Sequence, residues 1–465
     1  MTTTTQSLDI GTRRELFVDH YLIDKMEGAE LRLQVPQDRG VAIPFDLPHE
    51  GAFCGYISMI TLPDGKGFRA YYRALPDAVA AGDAMEITAY AESLDGIHWT
   101  KPEQNIVLRD ATPVTHNLTV YYDLKPGVPD GEKWKGIGGT DASGLIRYVS
   151  ADGIEWRKFA EGEPMLPAKQ GYRYDSQNLV FWSETEQLYL CYYRGSKKIT
   201  DDESRIRWIS RATSPDFLTW TDEGLMSFRK ADGGVAPDEH LYTNQTGAYL
   251  RAPHIYVAIA ARFWPGRQVL NEEEAKVVDV EPGYFNDISD GVLMTSRGGM
   301  VYDRTFLESF VRPGPGLENW TSRTNYPAMN VIQTGPDEMS FFVQREYGQP
   351  EHHLTRYSLR LDGFVALHAG YAGGEMITKP FQFSGQELEI NYATSAAGGL
   401  RFEFQDEAGK AIPGFALKDS REIIGDQISR IVSWQDGSCV ADLAGKTVRL
   451  RVVLKDADLF ALRFR

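Results

Sequence analysis

Ser93-Leu94-Asp95-Gly96-Ile97-His98-Trp99 is a turn that returns along the chain. It reappears as Ser150-Ala151-Asp152-Gly153-Ile154-Glu155-Trp156 and as Ser214-Pro215-Asp216-Phe217-Leu218-Thr219-Trp220. A weaker copy is Ser296-Arg297-Gly298-Gly299-Met300-Val301-Tyr302, and a degenerate fifth is Arg360-Leu361-Asp362-Gly363-Phe364. The copies begin at positions 93, 150, 214, 296 and 360, a spacing that marks a repeat architecture. Asp bonds nearby backbone in tight turns and Gly admits positive φ, so each copy reads as a turn between strands. β-rich sequence flanks every copy, as a radial array of four-stranded sheets requires. The expectation is an all-β chain carrying a five-bladed β-propeller.

Each blade reads as a meander of strands A to D. Blade one has Tyr56–Leu62, Phe68–Tyr72, Ile87–Glu92 and a strand after Trp99. Blades two to five follow the same order from Leu118, Asn178, Gln245 and Met329. Residues 12–34 hold a strand-like run, Glu15 to Asp24, expected to complete the last blade and close the ring. Pro265–Ser289, with Glu272-Glu273-Glu274, is an insertion between strands B and C of blade four. Such a loop beside a rigid scaffold either shapes a site or is a solvated excursion. After Gly370 the turn motif stops. Leu400, Phe402 and Phe404 then alternate with polar residues, and Val448, Leu450, Val452 and Leu454 do so again. Phe460, Leu462 and Phe464 form a last strand. This period of two predicts a C-terminal β-sandwich over 372–465, a brace for a propeller over 1–371.

Composition narrows the function. The formal charge of −16 argues against nucleic acid, whose phosphates want a basic face. Cys54, Cys191 and Cys439 are scattered and form neither a disulfide framework nor a zinc spacing. No stretch approaches the ~18 apolar residues of a membrane span. The start, Met1-Thr2-Thr3-Thr4-Thr5, has neither basic nor apolar leader character. As given, the chain reads as cytoplasmic, although a removed signal peptide would leave the same start. No residue cluster announces a metal or cofactor, and oligomeric state is not readable.

Meander geometry converts sequence position into location. The starts of A and C and the ends of B and D share one face, whereas the repeated turn lies on the other. The turn aspartates therefore read as structural, and the repeated Trp and Tyr as packing between blades. On the opposite face, strand A starts carry His49-Glu50, His116-Asn117, Tyr174 to Asn178, Tyr242 to Gln245, and Asn325-Tyr326. Strand B ends carry Arg73, Arg194, Arg262 and Arg345-Glu346, and strand C of blade four starts Asp287-Ile288-Ser289-Asp290. These groups are expected to ring one axial pocket. Glycoside cleavage needs an acid for the leaving oxygen and a carboxylate at the other side of the sugar. Asp175, Glu50 and Asp290 are the candidate catalytic carboxylates, with Glu308 and Glu346 in reserve. Arg73, His116, Asn117, Asn178, Arg194, Tyr242, Asn244, Arg262, Glu308 and Glu346 are the candidate substrate-binding groups. His116 is a further candidate acid. The partner expected is a carbohydrate substrate.

The chain resembles the five-bladed propeller glycoside hydrolases, the broad set containing families 32, 43, 68 and 117. It is most similar to bacterial proteins labelled family-32-like. Leu16-Phe17-Val18-Asp19, Tyr21-Leu22-Ile23-Asp24, Asp175-Ser176-Gln177-Asn178 and Ser289-Asp290-Gly291 carry the resemblance. Thr295-Ser296-Arg297, Arg312-Pro313-Gly314 and Arg360-Leu361-Asp362-Gly363-Phe364 extend it over nearly the whole chain. The family 32 strings Trp-Met-Asn-Asp-Pro-Asn-Gly, Arg-Asp-Pro and Glu-Cys do not occur here. Blade one offers Glu50 in place of the nucleophilic Asp, blade two His116-Asn117, and blade three Asp175 in place of Glu. The resemblance implies an exo-acting glycosidase. A phosphorylase or lyase on the same scaffold, and a non-catalytic glycan-binding propeller, stand as alternatives.

Overall fold

A computed structural model describes residues 7–75, 86–109, 111–169, 174–199 and 205–465. The threonine run at the start lies outside the described residues. The rest forms two compact units, Val35–Ser358 and a second made of the described residues up to Gln34 with Leu359–Arg465.

Val35–Ser358 is the five-bladed propeller. Blade one pairs Gly55–Thr61, Phe68–Ala74, Ile87–Ser93 and Ile106–Leu108 in order, all antiparallel. Blade two uses Thr119–Tyr122, Trp134–Thr140, Gly144–Ser150 and Trp156–Lys158. Blade three uses Leu179–Ser183, Leu188–Lys198, Arg205–Ser214 and Thr221–Leu225. In blade four, Ala252–Pro265 and Asp287–Ser296 are long central strands, and Ser227–Arg229 adds a parallel edge to Val301–Asp303. Blade five builds on Glu338–Arg345 and His353–Arg360.

The recurring turns behave alike. Ser93, Ser150 and Ser214 accept from the backbone two residues on, while Asp95, Asp152 and Asp216 each accept two further amides. Each turn also docks on the preceding blade. The Gly153 carbonyl accepts from Tyr71 Oη, and the Phe217 carbonyl from Arg147. Trp99 packs edge-on against Phe342, and Trp156 against Tyr71. The aspartates are structural and the aromatics lie between blades, as their place in the meander predicts. The apolar core is accordingly a series of inter-blade layers.

Ring closure corrects the sequence reading. The outer strand of blade five is Gln37–Pro44, paired antiparallel with His353–Ser358. Residues 12–34 are not part of it. Glu15–Leu16, Ile23–Glu27 and Ala29–Leu33 pair instead with Arg449–Phe464, Gly374–Thr378 and Val365–Ala369. Their apolar side chains, Phe17, Leu22 and Ile23, join one core with Phe402, Phe404, Leu450 and Val452. The physical reason is burial: the apolar face of 12–34 is satisfied there, while Gln37–Pro44 is mostly exposed and suits an outer edge. The boundary at 371/372 is thus replaced by two crossings, near residues 34 and 358.

The second unit is the expected β-sandwich. Its two long strands, Leu388–Gln405 and Arg449–Phe464, run antiparallel along their length with irregular register at their middles. One half of Arg449–Phe464 also pairs with Gly374–Thr378 and the other with Val365–Ala369. The predicted inward residues Leu400, Phe402, Phe404, Leu450, Val452 and Leu454 are all fully buried.

Candidate active site

The innermost strands are tied across the axis. Met59 donates its amide to the Met329 carbonyl, and Met329 donates back to Ile57. Gln177 donates to the Ile57 carbonyl, and Gln245 donates to Gln177 and to the Pro327 carbonyl. The face that carries the starts of strands A and C is rich in charge.

Asp175 stands at its centre. Asn117 and Asn178 both donate to the carbonyls of Tyr174 and Ser176, so the residues on either side of Asp175 are clamped. Ser176 Oγ donates to the Tyr242 carbonyl and ties this segment to blade four. The carboxylate reaches His116 Nε2 at 2.8 Å and Arg194 Nη2 at 3.2 Å, with its side chain 48 % exposed. His116 Nδ1 faces Glu86 at 2.9 and 3.0 Å. Carboxylates on both ring nitrogens favour the doubly protonated imidazole. Burial lowers the His116 pKa, but the Asp175 and Glu86 bonds outweigh it and raise the ring above its ordinary value. Burial likewise pushes the Asp175 carboxyl up. The His116 bond and the Arg194 charge outweigh that and hold it well below the usual carboxylate range.

Tyr242 collects the arginines. Arg194, Arg207 and Arg323 lie 5.0, 4.8 and 6.0 Å from its ring centroid. Burial raises its phenol, but the Arg194 and Arg323 charges overcome this and lower it. Asp287 feels the charges of Arg323 and Arg207 and bonds Ser322 Oγ. Its burial outweighs these and pushes the carboxyl above its ordinary value. Beside it, Tyr56, Arg73, Arg323, Tyr326, Gln344 and Tyr347 line a narrow cleft. Arg73 lies 4.8 Å over the Tyr56 ring and donates to Tyr347 Oη at 2.8 Å. Tyr56 and Arg323 both hold left-handed backbone, φ +54 and +58. Strain of this kind persists where surroundings over-determine it, often at working sites.

Several sequence candidates lie elsewhere. Glu50 is 0 % exposed; Tyr72 Oη occupies one carboxylate oxygen, and Lys101 Nζ and the Leu47 amide the other. It is a buried structural anion that offers nothing to the pocket. Asp290 lies directly opposite Arg262 in the sheet and takes two bonds from it, at 2.9 and 2.6 Å. Cross-strand register therefore removes this pair, and Arg262 also bonds Glu239 and the Leu307 carbonyl. Asn117, Asn178 and Asn244 spend their amides on the backbone. Glu308 is exposed. Glu346 is pushed up to about 7 by burial and by Glu318 and Glu351.

Sequence reasoning singles out none of Glu86, Arg207, Asp287 and Arg323 as a site residue, although it reads Asp287 onto this face. The first three sit at the starts of strand C in blades one, three and four. The meander rule that found Asp290 applies equally to them. Among the described residues, no group of three or more His, Cys, Asp or Glu side chains is placed to hold a metal ion.

No family model matches the chain, and no curated protein matches it significantly. Solved structures do align. A structure titled a glycoside hydrolase aligns with TM-score 0.47 at 12% identity, over 70% of this chain and 92% of that one. A family 43 arabinoxylan arabinofuranohydrolase from Bacillus subtilis, in complex with cellotetraose, aligns with TM-score 0.40 at 12% identity, over 90% and 96%. A β-1,2-mannobiose phosphorylase from Listeria innocua aligns with TM-score 0.43 at 12% identity, over 71% and 94%. Likeness of this extent decides neither reaction nor substrate.

Proposed function

We propose that the chain is a glycoside hydrolase that cleaves a terminal sugar in the axial pocket. One observation carries this reading: Asp175 and Asp287 both face the arginines around Tyr242, and their surroundings push their pKa values in opposite directions. Asp287, raised above its ordinary value, is the group that gives a proton to the glycosidic oxygen as the C–O bond breaks. Asp175, held well below the usual carboxylate range, stays ionised and is assigned the attack on the anomeric carbon. Water then releases the sugar from Asp175, so the configuration is retained. His116, held by Glu86, positions Asp175 and balances its charge. Tyr284, from the blade-four insertion, packs on Phe53 at 5.0 Å and beneath Arg323 at 5.0 Å. That wall supports an exo mode.

The test is turnover of aryl glycosides and natural oligosaccharides by the wild type, Asp175→Asn, Asp287→Asn and Glu50→Gln. Loss of kcat on the order of 10²–10⁴-fold is expected in the first two variants. Glu50→Gln removes the buried partner of Lys101, which keeps Asp46, so it should cost about 1–3 kcal/mol in stability while the folded fraction keeps its kcat. Full activity in both Asp variants would refute the assignment. NMR of the first-formed product reads retention directly, and release of internal fragments would exclude the exo mode.

A further inference from the structure

Arg194 is treated differently from the structural arginines nearby. Arg262 is matched by Asp290, Glu239 and a carbonyl. Arg345 donates to the Pro313 carbonyl, Asn325 and the Tyr357 hydroxyl. Arg194 is only 2 % exposed, and among the described residues its one ion pair is with Asp175 through Nη2. Among the described residues, its buried Nε, Nη1 and Nη2 find no acceptor in hydrogen-bond geometry. The Nε atoms of Arg207 and Arg323 are also buried and unsatisfied. The flat contacts these guanidiniums make are with rings: Tyr242 for Arg194, Tyr242 and Phe263 for Arg207, and Tyr242 and Tyr284 for Arg323.

Buried donors left open are costly, by several kcal/mol for a charged group. Stacking on aromatic faces fixes the planes of the guanidiniums but satisfies no N–H. Arg323 also holds left-handed backbone, φ +58. A planar fork matches an oxyanion with paired oxygens better than it matches a hydroxyl. All of this stands in a chain with a formal charge of −16, where cations gathered without equal counter-charge need a reason.

We propose that Arg194, Arg207 and Arg323 form an oxyanion-binding subsite around Tyr242. The substrate is therefore an anionic sugar bearing a carboxylate, or a neutral sugar bound together with inorganic phosphate. This rests on the pocket of the hydrolase reading: an anionic sugar deepens that reading, whereas bound phosphate would take the place of water in releasing the sugar from Asp175.

Calorimetric titration of the full chain with glucuronate, galacturonate, inorganic phosphate and glucose tests it. Variants Arg207→Met and Arg323→Gln, checked for folding by circular dichroism, accompany the wild type. At least one anion should bind about tenfold or more tighter than glucose, as one charge-assisted bond implies. That preference should fall about tenfold in either variant. A hexuronate preference places the anion on the sugar, and a preference for phosphate alone places it in solution. Equal binding of all four probes, or unchanged anion binding in both variants, would overturn the subsite. Hydrolysis of a neutral glycoside without any anion preference would leave the hydrolase reading standing and remove this one. Anion binding without hydrolysis of any glycoside would do the reverse.

Discussion

At the scale of single residues, the pocket turns on opposed ionisation. His116 is raised, so its stabilising contribution is complete below about pH 6.5 and is lost as pH rises through its folded value. Asp175 is lowered, so its contribution is present above about pH 3.9 and is lost as pH falls through its folded value. Their pairing is strongest between those limits. Activity asks for Asp175 ionised and Asp287 protonated. The kcat/KM profile should therefore keep its acid limb below the usual carboxylate range, with an alkaline limb displaced above it. Asp287→Asn should abolish the alkaline limb when assayed with an aryl glycoside whose leaving group needs no acid. An alkaline limb that persists there would assign the acid to another group. Residue identity alone could not separate Asp287 from Asp290, three positions away. Arg262 decides between them by standing opposite one of the two.

Among elements, the repeated turn is where local chemistry and packing meet. Gly153 has φ +77, and a Cβ added there would meet Tyr71 Oη at 2.5 Å and the Trp134 ring at 2.9 Å. Gly65, in the first hairpin of blade one, has φ +68 but nothing within 4 Å. Gly153→Ala should cost about 2–4 kcal/mol, combining backbone strain with overpacking between blades. Gly65→Ala should cost about 1 kcal/mol, the conformational part alone. Urea unfolding midpoints measure both, and equal shifts would mean that turn docking contributes little. The turn was legible because Ser, Asp and Gly act on neighbouring backbone. Its docking partner was not, because Tyr71 is supplied by another blade.

For the whole molecule, closure of the ring depends on a strand with little sequence signal. Gln37–Pro44 is largely exposed, yet Ile43 is 1 % exposed and packs with Leu354, Ile57 and Phe342. Ile43→Ala should lower propeller stability by about 2–4 kcal/mol, whereas Val41→Ala, at a site 58 % exposed, should change it by less than about 0.5. Similar midpoints for the two variants would remove the closing role of this strand. The five turns, the period-two alternation after residue 400 and the polar starts of strand A were all readable along the chain. They determined an all-β propeller with a sandwich and pointed to one charged face that includes Asp175, His116 and Arg194. Each of those signals is local, set by backbone preference or by the alternation of one strand. Tertiary structure alone decided that 12–34 belongs to the sandwich and 37–44 to the ring. It also buried Glu50 against Lys101, tied Asp290 to Arg262, and assembled Glu86, Arg207, Asp287 and Arg323 around Asp175 and Tyr242. These outcomes depend on which side chains from distant strands share a buried space, and competition for that space leaves no mark on any one segment.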